Sequence, residues 1–174
     1  MTDRSERLLG GAVRVQSAGV SAGQYLSPDA VRAAKERGVD AGALRPTQLT
    51  VDLLRGADLV VTMTSDHSEE VLDVAPEVAE KTFTLKELSG LLTRMRASEP
   101  SSERGSVLAR IAEANRLRAA SSATASPAED VLDPLGLSMD IYREVAADIE
   151  AGVDDLVRGL FGVRARAEAS PGGS

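Results

Sequence analysis

The side chains that most often carry covalent or metal chemistry are scarce in this sequence. Its 174 residues contain no cysteine and one histidine, His67. Without cysteine the sequence supplies no disulfide, no thiolate metal ligand and no thiol nucleophile. His67 follows Met63 and Thr64 early in a predicted helix, and with no second histidine it forms no recognisable metal site. We interpret His67 as a solvated helix residue and predict no metal.

Two other patterns are associated with chemistry in other proteins. The glycines of Gly10-Gly11 and Gly19-x-x-x-Gly23 neither lead into Gly-Lys-Ser/Thr nor fit Gly-x-Gly-x-x-Gly, so nucleotide binding is discarded and no cofactor is predicted. Asp133 precedes Pro134, and this dipeptide in isolation usually opens a turn and stops a helix. Whether Asp133 has a catalytic role or only forms a turn depends on the surrounding fold.

The elements that must position these residues alternate between strands and helices. Apolar and β-branched patterns predict strands at residues 13–17, 57–63 and 81–85. Capping signals predict helices at 28–37, after Thr50, from Ser65 to Val74 and after Ser138. Strands separated by helices imply right-handed crossovers and a parallel sheet with helices on both faces. The sequence therefore predicts an α/β, doubly wound fold, whose ligands bind beyond the carboxyl ends of the strands.

One segment interrupts this alternation. Residues 97–129 are rich in Ser, Glu, Arg and Ala, with a predicted helix at 107–118 followed by a low-complexity stretch. We predict a mobile insertion there with few core contacts. The predicted organisation is one domain over residues 1–161 and a flexible tail over 162–174.

Charge and hydropathy exclude several classes of partner. The formal charge of −7 and the isoelectric point near 4.8 disfavour binding to nucleic acid or anionic lipid. No apolar run approaches the roughly 20 residues that span a bilayer, and Met1 is not followed by a signal-peptide hydrophobic region. We predict a cytoplasmic protein and leave its oligomeric state open.

Six segments, taken together, resemble low-molecular-weight protein-tyrosine phosphatases in order and spacing. The resemblance extends over most of residues 7–161 and is carried by these segments: Val13–Gly19, Arg37–Asp40, Gln48–Thr50, Ala57–Met63 with His67, Phe83–Leu88 and Asp130–Gly136. The last segment, followed by Met139–Tyr142, is similar to bacterial members that act on phosphoarginine as well as to members that act on phosphotyrosine. The resemblance implies a flavodoxin-like sheet and the hydrolysis of phosphomonoesters.

The resemblance also implies roles for individual residues. Asp133 matches the family's general acid, which protonates the departing oxygen or nitrogen so that it need not leave as an anion. Ser17 matches a serine that supports the phosphate-binding loop, although a serine ending a strand also commonly bonds only to local backbone. Leu135 stands where many members have an aromatic wall of the substrate cleft. This difference weakens the case for a stacked phosphotyrosine.

The family's first strand and its Cys-x5-Arg-Ser/Thr loop have no counterpart in the sequence. Met1-Thr2-Asp3 and Leu8-Leu9 resemble the helix that follows that loop, while a competing alignment takes Arg4-Ser5 as the end of the loop itself. Without the central strand, strands 13–17 and 57–63 would face each other across about 9–10 Å with unpaired backbone groups. We therefore expect the chain as written to be poorly soluble, or its strands to slide together and close the gap. Our hypothesis is that translation upstream of Met1 supplies the strand and loop.

Three functions follow as alternatives. The favoured one is hydrolysis of a phosphorylated protein or a small phosphomonoester, inactive in these 174 residues because the thiol is absent. The second is a catalytically dead binding or regulatory module that uses the 97–129 segment. The third, arsenate reduction, requires several cysteines and is discarded.

Overall fold

The computed structural model describes residues 13–19, 26–42, 47–95, 104–121 and 130–162. Within these ranges, helices surround one small parallel sheet. The elements in chain order are α1 (Pro28–Glu36), α2 (Val51–Gly56), β1 (Val60–Thr62), α3 (Ser65–Val74), a 3-10 helix (Pro76–Lys81), β2 (Thr82–Thr84), α4 (Leu85–Arg94), α5 (Arg104–Ala120) and α6 (Met139–Phe161). The order from β1 to α4 is the predicted alternation of strands and helices.

Local capping explains where the helices begin. In four of them the hydroxyl of the N-cap residue accepts a hydrogen bond from the backbone N–H three residues later, which satisfies one of the N–H groups that the first turn leaves unpaired: Ser27, Thr50, Thr64 and Thr84. α3 has the predicted bounds, and α1 ends one residue earlier than predicted. Ser138 holds the N-cap position of α6, but its side chain makes no cap hydrogen bond.

The sheet places two carboxyl ends side by side. β1 and β2 are parallel, with Val60 opposite Thr82, Val61 opposite Phe83 and Thr62 opposite Thr84. Both strands are shorter than the predicted ranges 57–63 and 81–85. The connection between them runs through α3 and the 3-10 helix, as a parallel pair requires.

The predicted strand at residues 13–17 was wrong. Residues 13–18 have no regular secondary structure, and the β-pairing that follows them is a single parallel bridge between Gly19 and Gln48. Gly19 N–H donates to Thr47 O at 3.0 Å, and Leu49 N–H donates to Gly19 O at 2.9 Å. A segment forms a β-strand only where its backbone hydrogen-bonds to a neighbouring strand. In the described part of the chain, the sheet consists of β1 and β2 alone.

The segment predicted to be a mobile insertion contains α5, which packs into the core. Ile111 and Ala114 are buried at 5% and 0% exposure in a cluster with Phe83, Leu88 and Leu160. The expectation of few core contacts was therefore wrong for residues 104–121. The other residues of the segment and the predicted tail beyond 162 lie outside the described ranges, and the domain boundaries stay predictions.

The contact between α4 and α6 requires a glycine, which gives a first prediction. A Cβ atom at Gly159 would lie 2.7 Å from Leu92 Cβ, whereas one at Gly90, on the exposed side of α4, would meet nothing within 4 Å. We expect Gly159→Ala to lower the free energy of unfolding by about 1–3 kcal/mol through overpacking. Gly90→Ala should raise it by up to about 1 kcal/mol through helix propensity. Urea unfolding followed by circular dichroism compares the two variants, and a Gly159→Ala protein as stable as the parent would contradict this packing.

Candidate active site

The loop that carries Asp133 is attached to the carboxyl end of β1. Val131 N–H donates to Met63 O at 2.8 Å, directly after the strand. Asp130 Oδ1 accepts a hydrogen bond from Ser65 N–H at 2.8 Å, and its Oδ2 accepts one from the Ser65 hydroxyl at 3.0 Å. The carboxyl edge is where doubly wound proteins bind their ligands. The fold therefore brings Asp133 to the ligand edge of the sheet.

The loop has a defined turn around Asp133. Asp133 Oδ1 accepts a hydrogen bond from Leu135 N–H at 3.0 Å, and Leu137 N–H donates to Pro134 O at 2.9 Å. Gly136 has a φ of +80°, a backbone conformation that favours glycine. The carboxyl group of Asp133 is exposed and held in one orientation by the turn.

The loop is buried at Val131, near its start, and exposes apolar side chains further along. Val131 is 5% exposed and belongs to a cluster with Leu85 and Val145. Three leucines further along are exposed at 57%, 70% and 47%: Leu132, Leu135 and Leu137. Leu135, the candidate substrate wall, thus shares a turn with Asp133 and is accessible beside it. Its role as a wall stays a prediction.

A partly buried hydroxyl pair links the carboxyl end of β1 to its neighbours. Thr62 Oγ1 lies 2.7 Å from Ser68 Oγ and donates to Phe83 O at 3.4 Å. Thr62 is 7% exposed at the end of β1, so the pair joins β1 to α3 and to β2. The carboxyl end of β1, to which the loop is attached, is therefore linked to both α3 and β2.

Helix α1 holds the first turns of α6, directly after the loop. Ser27 Oγ donates to the Tyr142 hydroxyl at 3.1 Å, and Arg143 donates to both carboxylate oxygens of Glu36, at 2.8 and 3.1 Å. The hydrogen bond from Arg143 lowers the pKa of Glu36. The pair therefore stabilises the fold above the usual titration range of glutamate and loses that effect as the pH falls through the lowered pKa. Because the pair is exposed, its contribution is small.

The other predicted site residues lie elsewhere. Ser17 is exposed in the irregular segment that the Gly19–Gln48 bridge joins to the start of α2. Its support of a phosphate loop stays a prediction. His67 is exposed in the first turn of α3, where its backbone N–H donates to Thr64 Oγ1 at 3.2 Å. That placement agrees with a solvated helix residue.

Among the described residues, no three His, Asp or Glu side chains form a group that could hold a metal ion. No helix in the same part of the chain is both long and apolar enough to cross a membrane.

The sequence interpretation missed Asp130 and Ser65. Asp130 was part of the segment that carries the resemblance, but 65 residues separate it from Ser65. A hydrogen bond across that separation has no periodic or spacing signal in a single sequence. The residues found from the sequence were those with a local signature, namely the turn at Asp133 and the caps of the helices.

The fold and the loop define a doubly wound α/β protein with an aspartate at the ligand edge of its sheet. Comparison with known families is more specific, because the family model described as low molecular weight phosphotyrosine protein phosphatase matches residues 1–112. The chain belongs to this family. The matched range ends before Asp133, so the role of that residue depends on its position in the loop.

Three relatives show the breadth of the likeness. A protein-arginine-phosphatase of Geobacillus stearothermophilus is 28% identical over 150 residues, which cover 85% of this chain and 77% of that protein. The crystal structure of a low molecular weight protein tyrosine phosphatase from T. tengcongensis is 27% identical with a TM-score of 0.63, covering 91% of this chain and 85% of that one. An arsenate reductase of Brevibacillus brevis is 39% identical over 71 residues, which cover 41% of this chain and 52% of that protein. The predicted family and fold class are confirmed.

Proposed function

We propose that this chain forms the scaffold and acid loop of a phosphomonoester hydrolase acting on phosphotyrosine or phosphoarginine in proteins. Asp133 protonates the departing oxygen or nitrogen of the substrate. The observation that supports this role most directly is the attachment of its loop to the carboxyl end of β1, through Val131 N–H and Met63 O at 2.8 Å. The exposed carboxyl group can reach a ligand there, and the turn with Leu135 orients it.

The nucleophile is the missing part of this chemistry. In the family that the chain belongs to, a cysteine thiolate attacks phosphorus while backbone N–H groups and an arginine hold the phosphate oxygens. The 174 residues contain no cysteine. We therefore propose that they do not turn over phosphomonoesters by themselves, and that an active protein needs a strand and a Cys-x5-Arg loop in addition.

The experiment compares the chain alone with a complemented chain. The complemented chain carries a β-strand and a Cys-x5-Arg-Ser/Thr loop of the family's pattern joined before Met1. We expect the 174-residue chain to release no phosphate from p-nitrophenyl phosphate above the buffer rate, and the complemented chain to release it with kcat of about 1 s⁻¹ or more. The control replaces the added cysteine by serine. A folded complemented chain without activity would contradict the proposal.

The substrate can be phosphotyrosine or phosphoarginine, and Leu135 favours phosphoarginine. An aliphatic wall offers no aromatic face to a phosphotyrosine ring, and aromatic pairs contribute about 0.5–1.5 kcal/mol beyond area burial. A relative is named a protein-arginine-phosphatase. We therefore propose phosphoarginine as the preferred substrate. The kcat/KM of the complemented chain for phosphoarginine and phosphotyrosine proteins measures this preference directly.

A second function is favoured by the missing cysteine itself. A scaffold without a nucleophile cannot hydrolyse a phosphomonoester by this route, so the chain would act as a binding or regulatory module. Calorimetric titration of the 174-residue chain with phosphoarginine and phosphotyrosine peptides tests for such binding. Micromolar binding by the chain alone would favour the module. The cytoplasmic location stays a prediction.

A further inference from the structure

Asp130 joins two parts of the chain at the edge of the sheet. Both of its carboxylate oxygens accept hydrogen bonds from Ser65, one from the backbone N–H at 2.8 Å and one from the hydroxyl at 3.0 Å. Ser65 is the first residue of α3. The carboxylate therefore satisfies one of the N–H groups that a helix leaves unpaired at its start, while Thr64 Oγ1 satisfies that of His67.

The same bonds fix the beginning of the loop that carries Asp133. Asp133 follows Asp130 by three residues, a stretch that spans at most about 10 Å when extended. Val131, between them, is buried and donates to Met63 O. From Leu132 to Leu137 the loop is mostly exposed, so its contacts with the sheet edge concentrate at Asp130 and Val131. A displacement of Asp130 would therefore displace Asp133 as well.

We propose that Asp130 is a positioning residue that sets the location of Asp133 through its paired hydrogen bonds with Ser65. Asp130 does not itself touch the reacting atoms. The effect of Asp130 on catalysis rests on the proposed function of Asp133. Its effect on the position of the loop does not, and that effect can be measured in the 174-residue chain. Helix capping alone would give Asp130 a role in α3 without any effect on the loop.

The first test measures the loop in the 174-residue chain by amide hydrogen exchange. Asp130→Ala should accelerate exchange at Val131 N–H by about 10- to 100-fold, since it removes two charge-assisted hydrogen bonds beside that group. Asp66→Ala is the matched control, because it removes an exposed carboxylate from the same first turn of α3. We expect no change at Val131 in that variant. Unchanged exchange at Val131 in Asp130→Ala would overturn the proposal.

Two milder variants keep the test decisive if Asp130→Ala does not fold. Asp130→Asn retains an oxygen for Ser65 N–H and can donate to the Ser65 hydroxyl, so exchange at Val131 should stay within about threefold of the parent. Ser65→Ala removes only the hydroxyl bond and should give a smaller acceleration, about 3- to 10-fold. Faster exchange in Asp130→Asn than in Ser65→Ala would contradict the paired hydrogen bonds.

The second test separates this inference from the proposed function. In the complemented chain, Asp130→Ala should lower kcat about tenfold for phenyl phosphate and less than threefold for p-nitrophenyl phosphate, whose leaving group needs little protonation. Asp130→Asn should restore the parent values. If Asp133→Ala shows this difference between substrates and Asp130→Ala does not, the positioning role fails. If Asp133→Ala shows no difference while exchange at Val131 still responds to Asp130→Ala, the proposed function fails and the anchoring of the loop stands.

Discussion

Asp133→Ala in the complemented chain should lower kcat for phenyl phosphate by about 100- to 10,000-fold, the range that a positioned general acid contributes. The loss for p-nitrophenyl phosphate should be less than about tenfold, because nitrophenolate departs readily without a proton. This difference follows from the exposed carboxyl group that the turn with Leu135 holds at the carboxyl end of β1. Steady-state kinetics with the two substrates, at one pH and in one buffer, measure it.

The matched control is Asp133→Asn. Asparagine keeps an oxygen that accepts the hydrogen bond from Leu135 N–H, at 3.0 Å in the parent, but it has no acidic proton to transfer. We therefore expect the loss on phenyl phosphate to be as large for Asn as for Ala. Equal losses on both substrates would indicate that Asp133 maintains the loop and does not donate a proton. Retained activity of Asp133→Asn on phenyl phosphate would exclude the acid role.

Much of the helical framework could be predicted because its signals are local. The N-cap hydroxyl of a helix accepts a hydrogen bond from the backbone N–H three residues later, as in Ser27, Thr50 and Thr64. Four consecutive residues are therefore enough to indicate where such a helix begins. The end of α3 is similarly fixed by Pro76, which the 3-10 helix takes as its first residue. These signals do not depend on any distant part of the chain.

β1 and β2 lie within the predicted ranges 57–63 and 81–85, but neither the pairing of residues 13–17 nor the long-range bonds could be predicted from local signals. Residues 13–17 have the alternation of a strand, but a strand requires a paired neighbour. Within the described ranges, the β-pairing of this region is the single bridge between Gly19 and Gln48. The bond between Asp130 and Ser65 joins positions far apart in sequence. A single sequence therefore indicated the candidate acid at Asp133 but not the residue that anchors its loop.

The packing of α5 was missed for a different reason. The charged and low-complexity residues of the segment indicated an insertion, although Ile111 and the partly buried apolar residues beside it on α5 do pack into the core. Arg118 adds contacts that hydropathy does not single out. The Arg118 guanidinium lies 4.2 Å from the centroid of the Phe83 ring and donates to Thr82 O at 2.6 Å and to Ala79 O at 2.9 Å. These contacts attach α5 to the amino end of β2. Apolar periodicity does not indicate a cation above an aromatic ring or side-chain hydrogen bonds to backbone carbonyls.

Deleting residues 98–127 and joining the ends should abolish cooperative folding of the chain. The deletion removes Ile111 and Ala114 and thereby uncovers Phe83, Leu88 and Leu160, which are 0–1% exposed in the parent. Exposing several large side chains at about 1.5–3 kcal/mol each removes most of a typical domain stability of about 5–15 kcal/mol. Urea unfolding followed by circular dichroism should show no cooperative transition.

Two point variants test the same packing without shortening the chain. Ile111→Ala should lower the free energy of unfolding by about 2–4 kcal/mol, because it leaves a cavity beside a residue that is 5% exposed. Leu108→Ala is the matched control on the same helix: its side chain is 38% exposed, and we expect a loss below about 1 kcal/mol. Equal losses in the two variants, or a deleted chain that unfolds at the parent's urea midpoint, would show that α5 lies outside the core. α5 would then be a dispensable insertion, as its sequence suggested. Other residues would have to bury the Phe83 side chain.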